Sequence, residues 1–364
     1  MVYNVVGLMS GSSLDGVDIA CVHLHETSGK WQYELVAASC NEYSVQWKCR
    51  LLEAITLPAN DYQLLHAHYG HYLGELVNRF IDDNCLQNQV TLIASHGHTT
   101  FHSPQHKMTH QIGDGAAIAA ETGLAVVSDL RSLDIALGGE GAPIVPMGEK
   151  LLFNDYDLLL NLGGIANISA KNENSYTAFD VCSANKVLNM LSSLKGFEFD
   201  SNGIMARSGT VNEPLLAELN QLEYYKLPYP KSLANAFGSD TVFTLITKSR
   251  LAVPDALATY VEHVAMQIYF GVVSISKTFN TAPGNILITG GGAFNGFLIS
   301  RIKKWFSGLN LDIVIPDAPI VKFKEAIIIA LLGLLRWREE ITVLSSVTGA
   351  KRDSIGGALW MGNN

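Results

Sequence analysis

The chain has 364 residues, 48% of them hydrophobic and 16% charged, which is enough for two buried cores and fits an ordinary globular protein of two domains. A net charge of -9, a pI near 5.6 and scattered basic residues exclude a nucleic-acid partner, since binding a phosphate backbone calls for a basic surface. The most apolar stretch, residues 326–335, is far shorter than the ~20 residues that span a bilayer, which argues against a membrane partner.

In chain order, Asn4 to Val22 reads as strand, glycine turn, strand. Val5 and Val6 are followed by a polar hinge from Ser10 to Gly16, then by Val17, Ile19 and Cys21 alternating with Asp18 and Ala20. Gly11 and Gly16 are expected to adopt backbone angles closed to other residues, so that the amides and hydroxyls of Ser10, Ser12 and Ser13 turn inward around a phosphate. Asp15 and Asp18 supply oxygen ligands of the kind a magnesium ion takes. The same residue types also make ordinary hairpin turns. Trp31 to Cys40 continues the strands. Asp61 to Asn84 follows as an amphipathic helix on which His68 and His71 can share a face, while the two-residue spacing points His66 elsewhere; a solvated face rather than a ligand set is the expected account of the histidines.

Val90 to Ala94 is a buried strand that delivers Ser95, His96, Gly97 and His98 at its C-terminal end, where ligand sites of open α/β sheets lie. His96, His98 and His102 could hold a metal in a hydrolase; hydrogen bonding to a polar ligand is the other use. Residues 111–114 open a helix running through Ala120, Gly123 ends it, and 124–128 is a strand leading to Arg131. That guanidinium either clamps an anionic ligand or pairs with Asp129 or Asp134. The glycine- and proline-rich run 137–146 marks the expected domain boundary, 1–136 against 137–364, with the last helix packing back on the first half.

The second half repeats the opening theme. Leu158 to Ser169 is strand, glycine turn, strand, with Gly163 and Gly164 in the hinge and Asn161 and Asn167 flanking them. Tyr176 to Asn185 places Asp180 after a strand ending at Phe179 and before a helix N-capped by Ser183, either a catalytic carboxylate or a turn aspartate. Pro254 begins a long helix with Leu257, Val261, Val264, Ile268, Val272 and Ile275 on one face, and with Met266, Tyr269 and Phe270 read as core. The strand 285–288 leads to Thr289, Gly290, Gly291 and Gly292 and a helix from Phe294. Glu325 stands at the start of the all-apolar helix, solvated, paired, or capping. The cysteines at 21, 40, 49, 85 and 182 form no CxxC pair and read as reduced thiols; with no signal peptide visible, the expected location is cytoplasmic.

Two hairpin glycine loops, one per half, with a triple-glycine turn before a helix, follow the order of the actin, hexokinase and heat-shock ATPase superfamily. The motifs GLMSGSSLDGVD (7–18), SHGHTTFH (95–102), HQIGDGAAIA (110–119), VVSDLR with ALGGEGAPIVP (126–146), NLGGIANIS (161–169) and TGGGAFN (289–295) together resemble the anhydro-N-acetylmuramic acid kinase family. The resemblance implies an α/β, two-domain actin-like or hexokinase-like ATPase fold with a mixed five-stranded sheet in each half and a nucleotide cleft between them. It implies phosphorylation of O6 of 1,6-anhydro-N-acetylmuramic acid by MgATP with hydrolytic opening of the anhydro ring, in peptidoglycan recycling, by a homodimer.

By the same resemblance Gly11, Ser12, Ser13, Leu14, Asp15, Gly16, Val17 and Asp18 form the ATP phosphate loop, with Asp15 toward Mg2+, and Gly163, Gly164, Gly290, Gly291 and Gly292 complete the nucleotide site. Asp180 is the base that activates water. Glu325 acts with it and contacts the sugar, and Ser95, His96 and Arg131 are further sugar-side candidates. The chain departs from the family at Ser12, where threonine is usual, at His98, where glutamine is usual, and at Cys182, Ser183 and Ala184, which replace a glycine-proline-glycine turn. A metal-dependent hydrolase built on His96, His98 and His102, and a weak ATP-binding regulator on the same fold, are the rival readings.

Overall fold

The computed structural model describes residues 2–11, 14–171, 176–228, 231–234, 236–280 and 282–362. Ser12 and Ser13 lie outside them. The chain forms two compact units, Met1–Asn154 with Phe323–Asn364, and Asp155–Lys322.

The strands in chain order are β1 (Val2–Ser10), β2 (Gly16–Thr27), β3 (Lys30–Glu42), β4 (Leu92–Ser95), β5 (His98–Ser103), β6 (Met108–Ile112) and β7 (Val126–Ser128), all in the first unit. The second unit holds β8 (Leu158–Leu162), β9 (Ile165–Lys171), β10 (Tyr176–Ser183), β11 (Asn285–Thr289) and β12 (Asp312–Val314), and β13 (Ala358–Trp360) returns to the first.

The first sheet is ordered β13-β7-β4-β1-β2-β3, and β5 pairs with β6 in a separate ribbon. β1, β4 and β7 run parallel, and the other neighbours are antiparallel, so the sheet is mixed. It has six strands rather than the expected five. The extra one is β13, where Ala358 pairs with Ser128 and the Trp360 indole N–H donates to Ser128 Oγ at 3.0 Å. The second sheet has the expected five strands, β10-β9-β8-β11-β12, with β8, β11 and β12 parallel and β8, β9 and β10 antiparallel.

Each unit has its own core. In the first, the helix Ala59–Asp83 lays Leu65, Tyr69, Leu73 and Val77 over Val6, Ile19 and Ile93. In the second, the helix Val253–Phe279 buries Leu257, Val261, Val264, Ile268, Val272 and Ile275 against Leu160, Ile168 and Ile288, the face that the sequence periodicity marks out. Phe270 is 45% exposed and is not a core residue as expected; it projects from the opposite side of that helix.

The helix Ala318–Trp337 runs into the first unit, and every residue from Ala326 to Leu335 is buried there. Small residues let its backbone lie directly on the sheet. A Cβ at Gly7 of β1 would sit 2.0 Å from the carbonyl oxygen of Ala326, and one at Gly333 would sit 2.3 Å from the Ala94 Cβ. Gly7, at the head of the first glycine motif, therefore serves packing. No helix among the described residues is long and apolar enough to cross a membrane.

The unit boundary falls at 154/155 rather than at 136/137. The helix Pro146–Leu152 stays with the first unit because Gly148 packs on Ile328, the Glu149 carboxylate accepts from Lys324 Nζ at 2.8 Å, and Phe153 meets the Tyr33 ring. From residue 155 the bonds turn to the second unit: the Asp157 N–H donates to Asn285 Oδ1, and its carboxylate accepts from the Gly284 N–H, both at 2.7 Å.

Candidate functional site

The β1–β2 turn is anchored at both ends. Ser10 Oγ lies 2.7 Å from the Tyr43 hydroxyl and 3.1 Å from His98 Nδ1, and the Tyr43 N–H donates to the Asp15 carbonyl at 3.2 Å. Among the described residues of the turn, Leu14 is in the left-handed conformation, with φ 58°. Gly16 does not have the positive φ expected of it. It is needed for space, because a Cβ would lie 2.4 Å from the Asn41 carbonyl oxygen on β3. Asp15 is exposed and Asp18 half-buried. Burial, and then the hydrogen bond with Asp18, push the Cys40 thiol up to about 12.

At the end of β4 the histidines diverge. His96 is buried; its Nε2 accepts from Arg131 Nε–H at 2.8 Å, so its Nδ1 carries the proton and donates to the Gly97 carbonyl, also at 2.8 Å. Burial first, and then the Arg131 charge, push its pKa down to about 3, so it stays neutral. Gly97 has φ +71°, and a Cβ there would lie 2.5 Å from the Ile112 carbonyl oxygen. The backbone turns at this point, and His98 goes to Ser10 instead. His102 Nδ1 is 3.2 Å from Thr109 Oγ1. Three histidines with three separate partners do not make a ligand set, and no cluster suited to a metal ion occurs among the described residues. The Ser95 hydroxyl is buried without a hydrogen-bond partner among the described residues.

His66 is half-buried and points away from His71, as its spacing implies. Its Nδ1 accepts from the Gly113 N–H at 3.1 Å, while His71, on the exposed side of the same helix, meets Glu121.

Arg131 makes neither of the expected carboxylate pairings. Besides His96 it donates from Nη1 to the Gly141 carbonyl at 2.5 Å, while Asp134 accepts from the Gly141 N–H and from Thr348, and Asp129 accepts from Ser132. The guanidinium thus ties the glycine-rich run to the end of β4. Burial lowers its pKa to about 10, opposed by the charges of Glu325 and Asp134. Glu325 is half-buried, and burial raises its pKa against the charges of Lys324 and Arg131, with Asp18 and Glu149 adding to the rise. Arg131, Glu325, Asp18, Lys324 and Glu149 are therefore one electrostatic group in the first unit.

In the second unit the glycine turns converge on Asn185. The Gly163 and Gly164 carbonyls accept from the N–H groups of Asn185 and Ala184 at 3.1 and 2.8 Å, so the β8–β9 turn caps the helix Asn185–Ser193. Asn185 Nδ2 donates to the Leu162 carbonyl at 2.8 Å. Gly290 has φ +81° with Asn161 Oδ1 2.4 Å from where a Cβ would be, and Gly292 abuts Leu162 and Asn185. Gly164 and Gly291 are more open, with nothing among the described residues nearer than 3.8 and 3.6 Å to where a Cβ would be. A 3-10 turn, Gly291–Phe294, precedes the helix Gly296–Phe306, which Asn295 caps; that helix begins later than Phe294.

Asp180 lies within β10, not between a strand end and a helix as expected, at a register shift where Asp180 pairs with Asn167 and Cys182 with Ala166. Its Oδ2 accepts from the Leu233 N–H at 2.8 Å and from the Ser232 hydroxyl at 3.3 Å; Oδ1 has no hydrogen bond among the described residues. Burial raises its pKa above the ordinary aspartate value, opposed by those two donors. Ser183 is not the helix cap; it ends β10, and its buried hydroxyl has no partner among the described residues. Strand register aligns Asp180, Asn167, Asn161 and Thr289 across β10, β9, β8 and β11. Asn161 and Asn167, flanking the glycines of NLGGIANIS, and Thr289, at the head of TGGGAFN, are the sequence signals of this polar row; nothing in the sequence marked Tyr43.

The profile of the anhydro-N-acetylmuramic acid kinase family matches residues 3–362. The chain belongs to this family. The anhydro-N-acetylmuramic acid kinase of Hydrogenovibrio crunogenus is 33% identical over 98% of this chain and 97% of its own length, and that of Shewanella amazonensis is 33% identical over 97% of each. Among solved structures, the activator of the 2-hydroxyisocaproyl-CoA dehydratase from Clostridium difficile with bound ADPNP aligns with 93% of this chain and 96% of that one, at a TM-score of 0.46 and 14% identity. As a member of the anhydro-N-acetylmuramic acid kinase family the chain is an enzyme, a kinase, and the hydrolase and regulator readings give way to that one.

Proposed function

We propose that this kinase uses MgATP to phosphorylate O6 of 1,6-anhydro-N-acetylmuramic acid while water opens the anhydro ring, giving N-acetylmuramic acid 6-phosphate in peptidoglycan recycling. The observation that carries the mechanism is Asp180, a half-buried carboxylate with one oxygen held by Leu233 and Ser232 and the other without a partner among the described residues. In the anhydro sugar O6 is bonded to C1 and has no proton to lose. Asp180 Oδ1 therefore takes a proton from water as the water oxygen bonds to C1 and the C1–O6 bond breaks. The electron pair left on O6 attacks the γ-phosphorus, and ADP leaves.

Arg131, Glu325, His96 and the Ser95 hydroxyl are assigned to the sugar. The residues 11–18 and the turns at Gly163, Gly164 and Gly290 to Gly292 are assigned to the nucleotide. The carboxylates of Asp15, exposed at the loop's end, and Asp18 suit a hard divalent cation, and they would hold Mg2+. When bound, that ion offsets charge on the phosphates. A cytoplasmic homodimer is the assembly we expect, and sedimentation equilibrium measures its mass.

A coupled ADP-release assay with and without 1,6-anhydro-N-acetylmuramic acid tests the reading. Release that depends on the sugar is the expected result. Equal release in its absence would favour the regulator, and turnover lost on chelating zinc would favour the hydrolase.

A further inference from the structure

A buried hydrogen-bonded chain runs from the helix Ala59–Asp83 to the end of β1. The Tyr69 hydroxyl bonds to that of Tyr43, Tyr43 to Ser10 Oγ at 2.7 Å, and Ser10 to His98 Nδ1 at 3.1 Å. All four side chains are buried, Tyr69 completely. The Tyr69 hydroxyl also interacts with Ser10, and one arrangement of these groups that leaves no buried donor unused starts from Tyr69. Tyr69 donates to Tyr43, Tyr43 to Ser10, and Ser10 to the unprotonated Nδ1 of His98, whose proton is then on Nε2. Burial holds His98 neutral, with a pKa near 4, and keeps the Tyr43 phenol protonated by raising it to about 12. Tyr43 does a second thing, because its backbone N–H donates to the Asp15 carbonyl at 3.2 Å. One residue thus holds the loop at Ser10, where it leaves β1, and at Asp15, just before it enters β2.

We propose that Tyr43 is the positioning residue of the nucleotide-phosphate loop, with Ser10 and His98 completing the bonded chain that fixes the loop's entry. The proposal rests on the assignment of residues 11–18 to ATP. Backbone amides bind phosphate well only when their directions are set before the ligand arrives, so loosening one anchor weakens nucleotide binding and leaves the sugar side alone. It also separates the two histidines by role. His96 orients Arg131 on the sugar side, and His98, beyond the turn at Gly97, serves the nucleotide loop.

The test combines calorimetric titration of MgADP with steady-state kinetics on the full chain, for the native protein, Tyr43→Phe, His98→Leu and His98→Gln. Tyr43→Phe keeps the ring and the backbone N–H and removes one hydroxyl, so nucleotide affinity should fall about tenfold. The KM for ATP should rise by a like factor, with the KM for the sugar within about twofold. His98→Leu should behave the same way, and His98→Gln should recover most of the loss because its amide oxygen accepts the Ser10 proton. The His98 pair reads the chain from its far end and is independent of how the Tyr43 ring packs. Unchanged MgADP affinity in Tyr43→Phe, equal losses for both substrates, or no difference between His98→Leu and His98→Gln would overturn the proposal. A native protein that binds MgADP without sugar-dependent turnover rejects the proposed reaction, while the titrations still decide the role of Tyr43. One that binds no nucleotide rejects both.

Discussion

Asp180→Asn should lower turnover by about 10²- to 10⁴-fold with nucleotide affinity nearly unchanged, the range expected on removing a general base. Asparagine keeps the side chain's shape, and its amide oxygen still accepts from the Leu233 N–H and the Ser232 hydroxyl, so the loop at 232–233 stays in place. What is lost is the second oxygen as a proton acceptor. The pH profile gives an independent reading. Burial raises the Asp180 pKa, so the protonated, inactive form accumulates at a higher pH than for an ordinary aspartate. Activity should therefore fall with decreasing pH along a limb displaced upward from the usual aspartate range, and the Asn variant should lack that limb.

Stability moves the other way. A carboxylate whose folded pKa is raised opposes folding where it is ionised, so at neutral pH the Asn variant should be at least as stable as the native chain. In ¹⁸O-labelled water the label should enter the C1 hydroxyl and not the phosphate ester, read early because the hemiacetal exchanges by itself. Full activity in the Asn variant, or label in the bridging phosphate oxygen, would sink the mechanism.

Gly7→Ala should destabilise the first unit by about 3 kcal/mol or more, at the upper end of overpacking effects. The added methyl would lie 2.0 Å from the Ala326 carbonyl oxygen and 2.8 Å from the Ala330 nitrogen. Both are backbone atoms of a helix already seated on Ala94 through Gly333, so no rotamer change relieves the contact. The helix must lift from β1. Because it carries Glu325 and Lys324, activity should fall along with the unfolding midpoint. Gly308→Ala is the control. Among the described residues nothing lies within 4 Å of its Cβ, and its φ is not in the left-handed region, so stability should be unchanged or slightly higher. Urea and thermal unfolding measure both variants, and a Gly7→Ala protein with a native midpoint would show that the helix is not seated this tightly.

Much of the architecture was legible because it is local. The two strand-turn-strand segments, Val2–Ser10 with Gly16–Thr27 and Leu158–Leu162 with Ile165–Lys171, announce themselves by a two-residue alternation interrupted by glycine. The helix Val253–Phe279 is legible from its apolar face, the glycine loops and the triple-glycine turn pointed to the superfamily, and the six motifs from 7–18 to 289–295, in their order, to the family. The placement of Asp180 was not legible. A register shift extends β10 past it, and a shift depends on the partner strand, which local preference does not specify.

The amino-acid sequence by itself determined that this is a two-unit α/β kinase of the anhydro-N-acetylmuramic acid family, because each motif is a short run whose backbone preferences and periodicity are complete within it. Only the tertiary structure decided that Gly7 seats a helix from the far end of the chain and that β13 adds a sixth strand to the first sheet. It likewise decided that the first unit extends to residue 154, and that His96 and His98 face different partners. Each of these depends on groups tens to hundreds of positions apart, Gly7 with Ala326 or Ser10 with His98. Packing and hydrogen bonding at such separations are set by where the chain folds back, which the residues on either side do not encode.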